Sequence, residues 1–169
     1  IVNPHPDKEI AIRKDYEALE ELTYKGAAER YPVVNQKVKD RITKELALIR
    51  SQEFVSYFLI NHQIISYALK KGFYYIGRGS GANSVVAYCL RITDVDPIEL
   101  DLYFERFINL YRTNPPDFDI DFSWQDRDEI IQYIFDTYGL ENVCLQATYT
   151  TFQANSVFRE LGKVYGLPS

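Results

Sequence analysis

Hydrophobic positions divide the chain into helical segments first and mixed segments afterwards. From Lys8 to about Arg30, Tyr16, Leu19 and Leu22 recur at spacing three, which predicts a helix that "ERYP" closes near Pro32. Asn35 to Ser51 carries Val38, Ile42, Leu46 and Ile49 on one stripe, a second amphipathic helix. A third, from about Phe54 to Leu69, is apolar over most of its girth and so is expected to be buried. Lys70, Lys71 and Gly72 supply the basic last turn and glycine stop that end such a helix. "FYYI", Phe73 to Ile76, reads as a short buried strand, and "SVVAYCL" opens a helix after "GRGSGAN". "DVDPIELDLYFERF" predicts another helix, with Asp96 as N-cap, Pro97 in the first position and Glu99 completing a capping box. Ile130, Ile131, Ile134, Phe135 and Tyr138 mark an amphipathic helix that Gly139 ends. "VCLQATY" predicts a strand, and a last helix spans about Thr151 to Tyr165, stopped by Gly166 and Pro168. The order implies a mixed α and β fold.

One segment breaks the local rules. In "NPPDFDIDF", Asp117, Asp119 and Asp121 alternate with Phe118, Ile120 and Phe122. Alternation predicts a strand with one buried face, carrying the apolar residues, and three carboxylates on the other. Neighbouring carboxylates would stand roughly 6 to 7 Å apart at about 3.3 Å rise per residue. Aspartate is a poor strand former, and like charges so close need a counter-charge. A divalent cation would supply one. An edge strand whose solvent face is acidic is the plain alternative.

Composition narrows the setting. The 169 residues are 46% hydrophobic and 15% aromatic, enough for one packed domain with an appended helical arm. No run of about 18 apolar residues predicts a membrane span. The start "IVNPHPDKEI" has neither a signal-peptide pattern nor an initiator methionine, so a piece of a longer protein is expected. Cys89 and Cys144 both lie in apolar surroundings without a CxxC pair, and read as buried, reduced thiols of a cytoplasmic protein. His5 and His62 match no zinc spacing. A net charge of −5 is no footprint for nucleic acid by itself.

The glycine loop gives a second candidate site. Gly77, Arg78, Gly79, Ser80 and Gly81 lie between a predicted strand and a predicted helix. Glycines allow close approach of backbone to ligand, a helix start favours an anion, and Arg78 and Ser80 add a cation and a hydroxyl. A tight turn that needs glycine only for shape explains the same residues. No Walker lysine follows, and the near match to a dinucleotide fingerprint lacks the second strand that fold requires. A phosphate loop and an acidic strand together suit phosphoryl or nucleotidyl transfer with Mg²⁺.

From about Phe54 onward, "GRGSGANSVVAYCLRITDVDPIELDLYFERF", "PDFDIDF" and "RDEIIQYIFDTYG" resemble the palm of bacterial DNA polymerase III alpha subunits, the C-family polymerases. The resemblance implies a polymerase-beta-like nucleotidyltransferase palm with a mixed sheet over residues 53–169, preceded by a helical segment over 1–52. It implies that Arg78, Gly79, Ser80 and Gly81 bind the nucleotide's phosphates. It makes Asp117 and Asp119 the catalytic ligands of two Mg²⁺ ions. Asp121, an asparagine in the Gram-positive branch, ranks as secondary. Primer–template DNA and dNTP are the implied partners in the full-length protein, with other replisome subunits bound elsewhere and no membrane. The third catalytic aspartate is expected beyond Ser169, so the chain alone is expected to be inactive and to bind Mg²⁺ poorly. Departures such as "YYIGRGSG" for "GPGRGSG" and "NLYRTNPPDFD" around Arg112 leave the replicative and lesion-tolerant branches both open. A non-catalytic metal- and nucleotide-binding module and an unrelated dinucleotide-binding domain are the competing readings.

Overall fold

A computed structural model describes residues 2, 4–103, 114–149 and 151–166. The chain divides into two compact units, Ile1–Ile134 and Phe135–Ser169.

In the first unit, three long helices build the core. α1 (Lys8–Arg30) begins where the Asp7 carboxylate accepts from the N–H groups of Glu9 and Ile10 at 2.9 and 3.2 Å. α2 (Gln36–Ser51) is capped by Asn35, and α3 (Val55–Lys71) ends at Gly72 in the left-handed conformation. The α2 stripe of Val38, Ile42, Leu46 and Ile49 is buried, as its spacing predicts, and Glu45 is buried with it. α1 differs from expectation. Its inward face is Ala11, Asp15, Leu19, Thr23, Gly26 and Ala27, while Tyr16 and Leu22 only flank the core. At Gly26 only a glycine fits because the next layer comes so close. A Cβ on Gly26 would stand 2.0 Å from the Cys89 carbonyl oxygen. That carbonyl belongs to α4 (Val85–Cys89), a buried turn and a half packed between α1 and α2. Arg30 fastens the same corner. Its guanidinium donates to the carbonyls of Tyr88 and Thr93 at 2.8 and 2.9 Å, pairs with Asp94 and lies over the Tyr88 ring.

Two strands complete the unit. β1 (Tyr75–Arg78) pairs antiparallel with β2 (Asp119–Phe122), so Tyr75 faces Phe122, Ile76 faces Asp121, Gly77 faces Ile120 and Arg78 faces Asp119. Among the described residues this antiparallel pair is the whole sheet, where a mixed sheet is expected. β1 begins two residues later than "FYYI" and alternates in burial, leaving Ile76 exposed; it is a one-faced strand rather than a buried one. Its inner face and that of β2 rest on the core through Tyr75, Phe118, Ile120 and Phe122. α5 (Arg127–Tyr138) seats Ile130 against Ile64 and Ala68 of α3. Tyr133 stacks on Tyr67, whose hydroxyl donates to Glu129 at 2.8 Å.

The helix expected after Asp96 is a single capped turn. Asp96 accepts from the N–H groups of Ile98 and Glu99, but Asp101 adopts a positive φ of 50° and stops it. Phe104–Phe107 and Arg112 lie outside the described residues.

In the second unit, α5 runs on to Tyr138 and stops at Gly139, and α6 spans Ala154–Val164. "VCLQATY" forms no strand, and Cys144 is exposed rather than buried. α6 leaves Phe158, Leu161 and Val164 exposed. Among the described residues no helix is long and apolar enough to cross a membrane.

Two consequences can be measured. Gly26→Ala drives a methyl into backbone, and its unfolding free energy should fall by at least about 3 kcal/mol in denaturant titration. Burial pushes the Glu45 carboxyl from 4.5 up to about 7, outweighing the lowering by Arg41, Ser84 and Val86. A carboxyl whose pKa rises on folding takes up a proton there, so its stabilising contribution is full below the unfolded value and fades as pH rises through about 7. The melting temperature of the native chain minus that of Glu45→Gln should therefore be larger near about pH 5.5 than near about pH 8.

Candidate active site

The glycine loop and the acidic strand meet directly. After β1, the chain passes Gly79 at φ +95° and ψ −179° into a short 3-10 turn, Ser80–Asn83, and then into α4. Each glycine of "GRGSG" is required by packing. A Cβ on Gly77 would stand 1.6 Å from the Ile92 carbonyl oxygen, one on Gly79 2.6 Å from that of Asp117, and one on Gly81 2.4 Å from the Phe118 ring. Gly79 and Gly81 thus admit the acidic segment itself, and Gly77 the backbone at Ile92.

What the loop holds is a carboxylate. The Ser80 hydroxyl donates to the Asp117 carboxylate and accepts from the Asp117 N–H at 3.2 Å. The Ser80 N–H points at the same carboxylate at 3.4 Å, and the Gly81 N–H donates to the Asp117 carbonyl at 3.0 Å. The helix start behind it offers less than expected. The N–H groups of Val86 and Ala87 are already taken by Glu45 and Ser84. An anion at this loop must therefore be held by the loop and by Arg78, not by α4.

Asp119 and Asp121 lie on the outer face of the ribbon, and Arg78 is the counter-charge between them. It donates to Asp119 at 2.9 Å and to Asp121 at 2.7 and 3.3 Å. The Asp121 carboxylate consequently sits below its ordinary range, and the Arg78 guanidinium above its own, chiefly through this hydrogen bond. All three are substantially exposed: Arg78 60%, Asp119 44%, Asp121 54% of the side chain. Such pairs contribute about 0 to 1 kcal/mol and exchange partners readily. Phe118 turns the other way, stacked on Tyr57 at 5.4 Å and edge-on to Phe58 at 5.2 Å.

Arg78, Gly79, Ser80, Gly81, Asp117, Asp119 and Asp121 are thus brought into one surface site. Asp117 precedes the strand rather than standing in it. Two residues escaped the sequence reading. Tyr57 accepts from the Phe118 N–H at 3.2 Å through its hydroxyl, and burial, with Asp117 and Asp119 nearby, raises its pKa. Glu45 reaches α4 from beneath. The signal for each was a polar group inside a core stripe. Among the described residues no group of three or more His, Cys, Asp or Glu side chains converges on a common point as a metal site. The donors present, exposed carboxylate oxygens in excess over one guanidinium, suit a hard cation that fills its remaining positions with water or phosphate.

Arg78→Gln should move the unfolding free energy by less than about 1 kcal/mol, since it breaks only exposed pairs. Gly79→Ala, at a positive φ and against the Asp117 backbone, should cost more than about 2 kcal/mol in the same denaturation experiment.

A family model described as the bacterial DNA polymerase III alpha NTPase domain matches residues 17–169. An error-prone DNA polymerase of Idiomarina loihiensis is 45% identical over 149 residues, covering 88% of this chain and 14% of that protein. One from Brucella suis is 42% identical over 166 residues, covering 96% and 15%, and one from Symbiobacterium thermophilum is 45% identical over 148 residues, covering 88% and 14%. The chain therefore spans about one seventh of the length of these relatives.

Proposed function

The chain belongs to the bacterial DNA polymerase III alpha family, and on that premise we propose that it is the first part of the catalytic palm of a DNA-directed DNA polymerase. In this reading residues 53–169 form that part of a polymerase-beta-like palm and residues 1–52 the helical segment leading into it. The reaction is nucleotidyl transfer from a dNTP to a primer 3′-hydroxyl during DNA replication, with primer–template DNA bound by the whole protein. The relatives' name, error-prone DNA polymerase, supports the error-prone branch over the replicative one.

The observation that carries the proposal is the direct contact of loop and acids, Ser80 on Asp117 and Arg78 on Asp119 and Asp121. Asp117 and Asp119 would hold Mg²⁺, with Asp121 as a secondary ligand. Magnesium, when bound, supplies Lewis-acid stabilisation of the attacking and leaving oxygens. The chain's own residues bind and orient. The Ser80 hydroxyl, the Ser80 and Gly81 N–H groups and the Arg78 guanidinium form a set of donors that now serves the Asp117 segment and two other carboxylates. A triphosphate presents the same kind of oxygens, so Ser80 and Arg78, whose present pairs are exposed, can change anions at small cost, while the Gly81 N–H stays on the Asp117 backbone. Phe118, Ile120 and Phe122 hold the strand against the core while that exchange takes place. Magnesium favours sites that substrate phosphates complete, so metal and nucleotide should bind together.

The test is primer extension by the full-length polymerase that carries this segment. Asp117→Ala and Asp119→Ala should each lower kcat by at least about 10² to 10³-fold, and Ser80→Ala should raise the KM for dNTP. The chain alone should extend no primer. Full activity of Asp119→Ala would sink the assignment of the site, and robust synthesis by the isolated chain would sink the view that the site is completed elsewhere.

A further inference from the structure

A carboxylate that the proposed chemistry does not use lies directly behind the glycine loop. Glu45 has no exposed surface. Its Oε1 accepts from Arg41 Nε at 2.6 Å, and its Oε2 accepts from the Ser84 hydroxyl at 2.7 Å and the Val86 N–H at 3.3 Å. With the Ser84 proton directed at Glu45, the Ser84 oxygen accepts from the Ala87 N–H at 3.1 Å. The Ser84 N–H meanwhile donates to the Gly81 carbonyl at 3.1 Å. One serine thus closes the loop with its backbone and starts α4 with its side chain, and Glu45 decides which way its hydroxyl points. Asn83 passes this order forward by donating to the Ser80 carbonyl at 3.2 Å. Arg41, on the other side of Glu45, donates to the Leu102 carbonyl at 2.8 Å. The pair therefore ties both ends of the 84–102 segment to α2.

We infer that Glu45 is a positioning residue for nucleotide binding: through Ser84 and the Gly81 carbonyl it holds the loop so that the Ser80 donors can meet a triphosphate. The inference rests on the reading of the glycine loop as the triphosphate site. A buried carboxylate with every partner in place resists movement, because any displacement strands a donor or an acceptor away from water. At its other end the loop is anchored sterically, by Gly77 against the Ile92 carbonyl. Glu45 supplies the second anchor, and the donors lie between the two.

The experiment is steady-state dNTP kinetics on the full-length polymerase for Glu45→Gln, Ser84→Ala and the pair combined. Ser80→Ala serves as the reference for the loop, and thermal unfolding and primer–template affinity are measured alongside. Glu45→Gln and Ser84→Ala should each raise the KM for dNTP about tenfold, with kcat within about twofold and DNA affinity unchanged. The double variant should be no worse than the more impaired single one, because both act through one hydroxyl. An unchanged KM with a lowered melting temperature would make Glu45 a scaffold residue only and overturn the inference. If Ser80→Ala also leaves KM unchanged, the loop reading falls and takes the inference with it. If Ser80→Ala raises KM while the other two do not, the inference alone falls. Should Glu45→Gln not fold, Ser84→Ala decides by itself, since it removes one hydroxyl and leaves the Arg41–Glu45 pair in place.

Discussion

The antiparallel pairing of β1 with β2 is the constraint on which the site depends, because it sets an arginine against carboxylates placed two residues apart. Asp119 and Asp121 must share one face of β2, and in the ribbon a single guanidinium answers both. The answer depends on register. Arg78 reaches the two carboxylates because it stands opposite Asp119 in an antiparallel pair, as the last residue of β1. A slip of one residue would turn Arg78 inward and leave the acids bare. The same register sets Tyr75 opposite Phe122 and Gly77 opposite Ile120, so the packing that specifies the alignment inside also brings the charges together outside.

Close backbone approach then fits the ribbon to the helical body. Gly26 lets α1 touch α4, Gly77 lets β1 touch the Ile92 carbonyl, and Gly79 and Gly81 let the loop reach Asp117 and Phe118. Each contact fails if a methyl group is added. Between them runs a chain of buried polar contacts, Arg41 to Glu45 to Ser84, and Arg30 to the carbonyls around Tyr88 and Thr93. Unpaired, these groups would destabilise the core. Paired, they leave the 84–93 segment few alternative positions. The exposed pairs at the site differ in kind, being weak and exchangeable, so rigid support lies beneath groups that can change partners.

Periodicity and short motifs in the sequence determined a good deal by themselves. The stripe of Val38, Ile42, Leu46 and Ile49 predicts α2, and Lys70, Lys71 and Gly72 predict the end of α3, because helix geometry and capping are local. Alternation from Asp117 to Phe122 separates the apolar from the acidic side chains before any partner strand is known. "GRGSG" and "PDFD" together carry the family resemblance, and the family match over residues 17–169 agrees with it. Tertiary structure decided the rest. α1 turns Ala11, Asp15 and Thr23 inward beside Leu19, with Tyr16 and Leu22 at the margin, because Asp15 is held by the Val2 N–H and Ser56 and Gly26 meets the α4 backbone. "VCLQATY" has strand propensity but, among the described residues, no neighbouring strand with which to pair. The capping box at Asp96 starts a turn that the Asp101 backbone stops. The anion at the glycine loop is Asp117, and the Val86 N–H of α4 goes to Glu45. Local sequence cannot reveal either pairing, because donor and acceptor stand about forty residues apart and meet only when the core closes.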